Sequence, residues 1–221
     1  MSTNYVIFDI ETAPLPDEEL EAMMPDFDPD EVKIGNRKPE TAGLFIEQKR
    51  IEHRQRFIDR AALSPLTGTV CAIGIVMLPY GHPSVVTAGT LTESEIIKGF
   101  FDLYGSKPFD YAWIGFNIAE FDIPFLMRRA WKLGITPPKF MRGRYLEDNV
   151  IDLMQVWRCG ARNDDVSLDR LARFLGVGEK KISGAQFATL LATDPEAARV
   201  YLCNDLELTR DIAIKMGVIG T

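Results

Sequence analysis

Apolar runs and helical repeats alternate along this chain and predict its elements. Residues 5–10 form a mainly apolar run, interrupted by Asp9, which is typical of a strand buried on both faces of a sheet. Similar runs predict strands at residues 69–78, 84–88 and 111–115. Helical spacing predicts helices at residues 43–63, 92–104, 121–133 and 195–217. Residues 14–29 are rich in proline and acidic side chains, which argues against a long regular element there.

Signals at the helix ends support these boundaries. Thr92 and Glu95 have the spacing of a capping box, and Asp194 followed by Pro195 is typical of a helix start. The inward stripe predicted for the last helix consists of Ala198, Tyr201, Asp205, Leu208 and Ile212. Strands come first and helices are interleaved, then clustered at the end. This order predicts an α/β fold with a mixed central β-sheet flanked by helices.

Charge is distributed unevenly along the chain. The formal net charge of −7 argues against a protein that coats nucleic acid non-specifically. Residues 33–60 nevertheless contain eight Lys/Arg against four acids, and residues 128–144 contain six Lys/Arg and no acid. Each segment is consistent with a solvated helix face or with a patch that guides a phosphate backbone. The absence of acids favours the second interpretation for residues 128–144.

No pattern in the sequence indicates a membrane or secreted protein. No run approaches the roughly 20 apolar residues of a membrane-spanning helix. Residues 1–5 do not begin a secretory signal. The three cysteines have unrelated spacings, as expected for reduced thiols that mostly contribute to packing. We therefore expect a cytoplasmic protein without membrane contact.

Acidic residues stand at two strand ends. Asp9 and Glu11 end the first predicted strand, and strand alternation directs both carboxylates to one face. Asp122 lies where the strand at residues 111–115 hands over to a helix, a position that ligands favour in open α/β sheets. Each feature alone has an ordinary explanation. Strand ends commonly meet solvent, and an acid in the first turn of a helix complements its dipole.

A further pair, Tyr201 and Asp205, lies one turn apart on the inward stripe of the last helix. No lysine or arginine shares that face one turn away. Four acids from three segments thus occupy positions where an unpaired carboxylate is costly. Mg²⁺ or Mn²⁺ would hold them together, because hard cations prefer oxygen ligands. Zinc is disfavoured, because His53 and His82 are the only histidines and no Cys/His cluster exists.

Three motifs resemble those of a known nuclease superfamily. They are Asp9-x-Glu11, Asn117-x-x-x-Phe121-Asp122 and Tyr201-x-x-x-Asp205. In this order they resemble the exonuclease motifs of the DEDD superfamily, and the tyrosine resembles the DEDDy branch, since the DEDDh branch has a histidine there. Residues 66–75 and the second motif are similar to the proofreading domain of family-B DNA polymerases. The resemblance covers about residues 5–213 without a polymerase domain, as in predicted stand-alone exonucleases.

This resemblance implies a ribonuclease H-like fold and two-metal hydrolysis. Its metal ligands would be Asp9, Glu11, Asp122 and Asp205. They would hold two divalent cations, Mg²⁺ or Mn²⁺, roughly 3.5–4 Å apart, and these would stabilise the attacking and leaving oxygens. Tyr201 would orient the attacking water. By the same resemblance Thr12, Asn117 and Phe121 would contact the 3′-terminal nucleotides, with a core position as the alternative for Phe121.

The function implied is that of a 3′→5′ exonuclease on the 3′ end of single-stranded nucleic acid, with DNA favoured. Alternatives are a catalytically inactive module that binds nucleic-acid ends, and an exoribonuclease of the same fold. Residues 33–63 have no clear counterpart in the polymerase domain. We interpret them as a helical insertion in one domain of residues 1–221. Asp152 is interpreted as a helix N-cap or hydrogen-bond support, with direct catalysis as the alternative, and protein partners are not identified.

Overall fold

A computed structural model describes residues 4–79, 81–106, 111–142, 145–162, 164–180 and 186–220. The chain forms two compact units. The first, which we call the sheet unit, comprises Met1–Thr12 and Val70–Thr221. The second, the helical unit, comprises Ala13–Thr69. The division of residues 1–221 into one domain with an insertion remains a prediction.

A mixed sheet of five strands organises the sheet unit. Its strands are β1 (Asn4–Pro14), β2 (Gly68–Leu78), β3 (Ser84–Thr87), β4 (Tyr111–Gly115) and β7 (Val150–Asp152), and the short strands β5 (Met141–Arg142) and β6 (Tyr145–Leu146) pair separately. The order across the sheet is β3-β2-β1-β4-β7. Strand β4 is parallel to both β1 and β7, whereas β3 is antiparallel to β2. The predicted mixed sheet is therefore confirmed.

Helices accompany these strands through the described residues. They are α1 (Asp17–Met23), α2 (Pro39–Ala61), α3 (Glu93–Ser106), α4 (Asp122–Lys132), α5 (Leu153–Arg158), α6 (Leu168–Leu175), α7 (Phe187–Thr193) and α8 (Pro195–Lys215). On β1, Val6 and Phe8 join a core cluster with Phe100 of α3, while Ile7 joins a second cluster with Leu206 of α8. Alternation along the strand thus separates two cores, with helices packed on both faces. The α/β class is confirmed.

The helix-end signals in the sequence act as expected. The Thr92 N–H donates to Glu95 Oε2 at 2.8 Å and the Glu95 N–H donates to Thr92 Oγ1 at 3.3 Å, which completes the capping box of α3. The Asp194 carboxylate accepts the Ala197 N–H at 3.0 Å at the start of α8. Gly134, with φ of +70°, follows the end of α4 in the left-handed region that glycine tolerates best.

The helical unit corrects one expectation and agrees with another. Helix α2 begins at Pro39, four residues before the predicted start, because a proline at the first helical position needs no N–H partner. The proline-rich and acidic segment was expected to contain no long regular element, and its helix α1 is only seven residues long. This helix is tied to α2 by an ion pair between Glu21 and Arg54. Its apolar residue Leu20 is 3% exposed, and burial of this side chain helps to stabilise a helix that is too short to be stable alone.

The cysteines and the hydropathy of the helices agree with most of the sequence interpretation. Cys71, Cys159 and Cys203 are all free, although Cys159 is exposed and does not serve packing. Among the helices that the structure describes, none has the length and apolar character needed to cross a membrane.

Candidate metal centre

Strand β1 places Asp9 and Glu11 on the face of the sheet that packs against α8. Both residues share the side of Ile7, which belongs to the α8 core cluster, rather than that of Phe8. The sequence suggested that they end the strand, but β1 continues to Pro14. Its ladder with β4 does end early, at the pair Ile7 and Ile114. Backbone groups beyond this pair are therefore available for other partners.

Asp122 takes one of these free backbone groups. Its Oδ1 accepts the Ile10 N–H at 3.1 Å, and the residue is 3% exposed. Because Asp122 begins α4, this bond joins the start of that helix to β1 between the two acidic residues of the strand. A carboxylate at this position also complements the positive end of the helix dipole.

Helix α8 brings Tyr201 and Asp205 to the same region. Both are buried, at 5% and 1% exposure, on the inward stripe that the sequence predicted. Close approach of α8 to the sheet depends on Gly74 of β2. A Cβ there would lie 2.8 Å from Leu202 Cγ and 2.8 Å from Leu206 Cδ1, so a larger residue would displace the helix.

The structure brings three of the four predicted acids into one tight group. Carboxylate oxygens of Asp9, Glu11 and Asp205 lie within 4.8 Å of one another. Asp122 adjoins this group, since its charge acts on Glu11 and the charge of Asp9 acts on it. It is not part of the tight group among the described residues. Its Oδ1 instead accepts the backbone bond to β1.

Burial and mutual repulsion raise the pKa values of these carboxyls. Burial raises the pKa of Asp9 from 3.8 to about 7, with a further contribution from the charge of Asp205. Burial, followed by the charges of Asp9 and Asp205, raises the pKa of Glu11 well above its usual value. The pKa of Asp122 is likewise raised, first by burial and then by Asp9. Full ionisation of these carboxyls would therefore place more negative charge in the site than its surroundings stabilise.

One cation, which the sequence did not reveal, lies in this group. Lys180 Nζ is 2.5 Å from Asp205 Oδ2 and 5.1 Å from the centre of the Tyr201 ring. Its charge lowers the pKa of Asp9, Glu11 and Asp205, yet burial leaves all three pKa values raised. The Lys180 N–H donates to Asp169 Oδ1 at 2.8 Å, so α6 positions it. The expectation that Asp205 lacks a lysine partner holds only along its own helix.

Two polar atoms in the site have no hydrogen bond of standard geometry within the described residues. They are the Tyr201 hydroxyl and Asp205 Oδ1, and both are buried. Burial, followed by the charges of Glu11 and Asp205, raises the pKa of Tyr201 above its usual range. The phenol therefore keeps its proton and can donate it to a ligand. The two groups also interact with each other, because a side-chain hydrogen bond between Tyr201 and Asp205 contributes to the pKa shifts of both.

Asp152 organises the loop between β4 and α4. Its carboxylate accepts the N–H groups of Asn117 at 2.8 Å, Ala119 at 3.0 Å and Met154 at 2.8 Å. The last of these caps α5, as the sequence suggested. Asn117 has a φ of 63°, in the left-handed region that asparagine tolerates better than most residues. Asp152 thus supports the turn that leads to Asp122.

The three residues expected to contact nucleotides have different surroundings. Phe121 packs against the core cluster that contains Val6, and its ring centre lies 5.6 Å from that of Phe125. Phe121 therefore contributes to core packing. Asn117 helps form the turn described above. Thr12 directly follows Glu11 on β1, and strand alternation directs its side chain to the opposite face. Nucleotide contact by Thr12, Asn117 and Phe121 stays a prediction.

The basic segment at residues 128–144 differs from its interpretation as a free patch. Arg129 is 6% exposed, and its Nε and Nη2 bind the Glu93 carboxylate at 2.8 and 2.7 Å. Lys139 forms a 3.2 Å ion pair with Glu147. Acids distant in sequence therefore balance part of this segment, and the count of charges within it overstated the free positive charge.

Comparison with known proteins places this chain in a superfamily. A family model described as the RNase H superfamily matches residues 58–192, more than half of the chain, and the chain belongs to this superfamily. The matched range contains Asp122, whereas Asp9, Glu11 and Asp205 lie outside it, so their assignment depends on the geometry above. Membership favours a nuclease-type enzyme.

A solved structure is similar over almost the whole chain. It is the family B DNA polymerase from the hyperthermophilic archaeon Pyrobaculum calidifontis, with a TM-score of 0.63 and 19% sequence identity. The match covers 98% of this chain and 25% of that polymerase, so the chain spans a quarter of its length. The ribonuclease H-like fold and the resemblance to family-B polymerases are confirmed. Curated protein sequences contain no match to the chain.

Proposed function

We propose that this protein is a metal-dependent 3′→5′ exonuclease that acts on single-stranded nucleic acid, with DNA favoured over RNA. The carrying observation is the group of carboxylates from Asp9, Glu11 and Asp205, within 4.8 Å of one another in a ribonuclease H-like fold. Tyr201, one helical turn before Asp205, supports assignment to the DEDDy branch. The order of the three motifs supports 3′→5′ polarity.

The donor set fits divalent cations with a preference for oxygen. Three clustered carboxylates, with Asp122 beside them, exceed the single positive charge of Lys180. Lys180 and Tyr201 interact with the Asp205 carboxylate, and its Oδ1, which has no hydrogen bond of standard geometry among the described residues, would be the ligand atom. Mg²⁺ or Mn²⁺ suits such a site. Bound there, the metal would lower the pKa of water and neutralise charge on the phosphate.

The chain's own residues would prepare the substrate and the water. Asp9, Glu11 and Asp205 would give up protons when metal binds, because ligating carboxylates must be ionised. Tyr201 keeps its hydroxyl proton, so it would orient the attacking water by a hydrogen bond and not accept its proton. Lys180 can move from Asp205 to a phosphate oxygen and neutralise part of its charge. Thr12, Asn117 and Phe121 are proposed contacts for the terminal nucleotides.

A 5′-labelled single strand tests both activity and polarity. With Mg²⁺ or Mn²⁺, we expect progressive shortening from the 3′ end, so the label moves gradually down a size ladder. Immediate release of a labelled mononucleotide would instead show 5′→3′ digestion. The Asp9→Ala variant should be inactive, and activity of this variant in the presence of a chelator would disprove the mechanism.

Paired DNA and RNA strands of one sequence test the substrate preference. We expect faster digestion of DNA, and faster digestion of RNA would support the exoribonuclease alternative. Tight binding of strand ends without turnover under either metal would support the inactive binding module. Wild-type protein and Asp205→Asn should be compared, because both should bind a strand while only the first digests it.

A further inference from the structure

The helical unit contains an open pocket whose lining combines cationic and apolar side chains. Its volume is about 750 Å³, within the range of roughly 300–1,000 Å³ for ligand sites. We call it the α2 pocket, and its lining residues are Met23, Pro25, His53, Arg56, Phe57, Arg60, Ser64, Leu66 and Thr67. None of them is acidic. Basic side chains without acidic neighbours in one pocket are unexpected in a protein with a net charge of −7.

One face of α2 supplies the chemically distinctive residues. His53, Arg56, Phe57 and Arg60 follow the spacing i, i+3, i+4 and i+7, so their side chains project from the same side of the helix. Phe57 therefore shares this face of the helix with both Arg56 and Arg60. Met23 and Leu66 add apolar surface at the rim and are 45% and 76% exposed.

The two arginines differ from their neighbours on α2 in forming no close ion pair among the described residues, although the charge of Arg56 helps to lower the pKa of Glu52. Lys49, Arg50 and Arg54 each form an ion pair, with Glu52, Glu47 and Glu21 respectively. Neither Arg56 nor Arg60 has a carboxylate at ion-pair distance within the described part of the chain. Arg56 donates its Nε to the Glu52 carbonyl at 3.2 Å, which leaves its terminal nitrogens for another acceptor.

A neighbouring pocket provides a contrast within the same unit. It shares His53 and Arg56, and its volume is about 360 Å³. Its lining also contains the lysines Lys33 and Lys49 and three acids, Asp26, Asp28 and Glu31. These carboxylates would repel an anion. Of these two pockets, the α2 pocket is the one lined by cations without carboxylates.

We propose that the α2 pocket holds a nucleotide unit of single-stranded nucleic acid, with phosphate on Arg56 and Arg60 and the base against Phe57. Guanidinium groups bind phosphate through paired donors, and aromatic rings stack on bases whatever the sequence. An acidic peptide would satisfy the arginines but would leave the aromatic and apolar surface without a matching planar group. This inference rests on the proposed function for the identity of the strand, since a nuclease must hold one.

Binding without turnover tests this proposal directly. The probe is a fluorescein-labelled oligothymidylate of about 20 nucleotides, with anisotropy measured in chelator so that no hydrolysis occurs. We expect the Arg56→Ala/Arg60→Ala variant to bind at least about tenfold more weakly than wild type. The salt dependence should also fall, with a log–log slope smaller by about 1.4 for two lost phosphate contacts.

A matched variant separates the pocket from general charge. Lys98→Ala/Arg199→Ala removes the same charge from two exposed ion pairs of the sheet unit and should bind like wild type. Phe57→Leu keeps an apolar side chain but removes stacking, and should weaken binding about threefold to tenfold with an unchanged salt slope. Circular dichroism and thermal unfolding should show that all variants fold.

The outcomes distinguish this inference from the proposed function. Equal losses in the pocket and control variants, unchanged binding in the pocket variant, or equally tight binding of polyglutamate would each overturn the inference. If wild type digests the strand and the pocket variant binds it as tightly as wild type, the nuclease function is supported and the nucleotide site in the α2 pocket is disproved. If wild type binds the strand through the pocket but does not digest it under either metal, the nucleotide site is supported and the nuclease function is disproved.

Discussion

At the scale of single residues, Lys180 places a positive charge beside the clustered carboxylates that we propose as metal ligands. Its ammonium lies 2.5 Å from Asp205 Oδ2 and lowers the pKa of Asp9 and Glu11 as well. A lysine in such a place can occupy the site when metal is absent and contact the substrate when metal is present. Both roles follow from one positive charge beside an excess of negative charge.

Replacement of Lys180 by methionine should shift metal binding to higher pH. Loss of its charge raises the pKa of Asp9, which is about 7 with lysine present, and protons then compete with metal over a wider range. Titration of Mn²⁺ binding from pH 5 to 9 would measure the shift, with the Lys98→Met variant as control. An unchanged or lowered midpoint would contradict this electrostatic role.

Tyr201→Phe should reduce turnover while metal binding persists. The variant loses the hydroxyl that would orient water but keeps the ring beneath Lys180, so we expect a fall in kcat of about 10²-fold. Asp205→Asn, in contrast, should weaken metal binding, because it replaces a charged carboxylate with a neutral amide. Comparison of kcat at saturating metal with the metal Kd separates the two effects. Wild-type kcat in Tyr201→Phe would exclude the assigned role.

At the scale of elements, buried ionic contacts fix helices to the sheet. The Glu93 carboxylate at the start of α3 binds Arg129 of α4 and also accepts the Val70 N–H of β2 at 2.8 Å. One acid thus joins three elements. The Asp152 carboxylate does the same for the β4–α4 turn and α5. Each contact positions the start or body of α4, which carries Asp122.

Removal of one partner of the Arg129–Glu93 pair should destabilise the fold strongly. Arg129→Leu leaves a carboxylate whose side chain is only 14% exposed, and we expect a loss of about 3–5 kcal/mol in the free energy of unfolding. Urea denaturation measures it. The double variant Arg129→Leu/Glu93→Leu should lose less than the sum of the single variants. Losses below about 1 kcal/mol would show that solvent screens the pair.

At the scale of the whole molecule, the acidic centre makes stability depend on pH and metal. A carboxyl whose pKa is raised on folding binds more protons in the folded state than in the unfolded state. The resulting stability is fully present below the unfolded pKa and is lost as the pH rises through the folded pKa. For Asp9 this interval runs from 3.8 to about 7.

Metal-free protein should therefore lose thermal stability as the pH rises from about 4 to about 7, because of the Asp9 contribution. Added Mg²⁺ should restore it, with a larger rise in Tm at pH 7.5 than at pH 5. Calorimetry with chelator and with Mg²⁺ measures both trends. Other groups also titrate, so Asp9→Asn is the control, and it should flatten the slope. A slope identical to that of wild type would contradict the raised pKa.

The proposed metal ligands illustrate what can be predicted from local sequence. Asp9 and Glu11 share a face through strand alternation, and Tyr201 and Asp205 through helical spacing, so their relation within each element was predictable. The capping box of α3 and the start of α8 depend on residues three apart and were also predicted correctly. Boundaries were less accurate, as at Pro39 and Pro14, because burial and pairing with distant segments extend elements beyond their local signals.

The sequence by itself determined the fold class, the acidic strand and the Tyr201–Asp205 stripe, because backbone periodicity and capping act over a few residues. Only the tertiary structure decided which groups meet across the chain. It placed Lys180 on Asp205, Glu93 on Arg129 and Asp122 on the Ile10 N–H. Such pairs join residues far apart in sequence, and their energies depend on burial and distance, which no local pattern encodes.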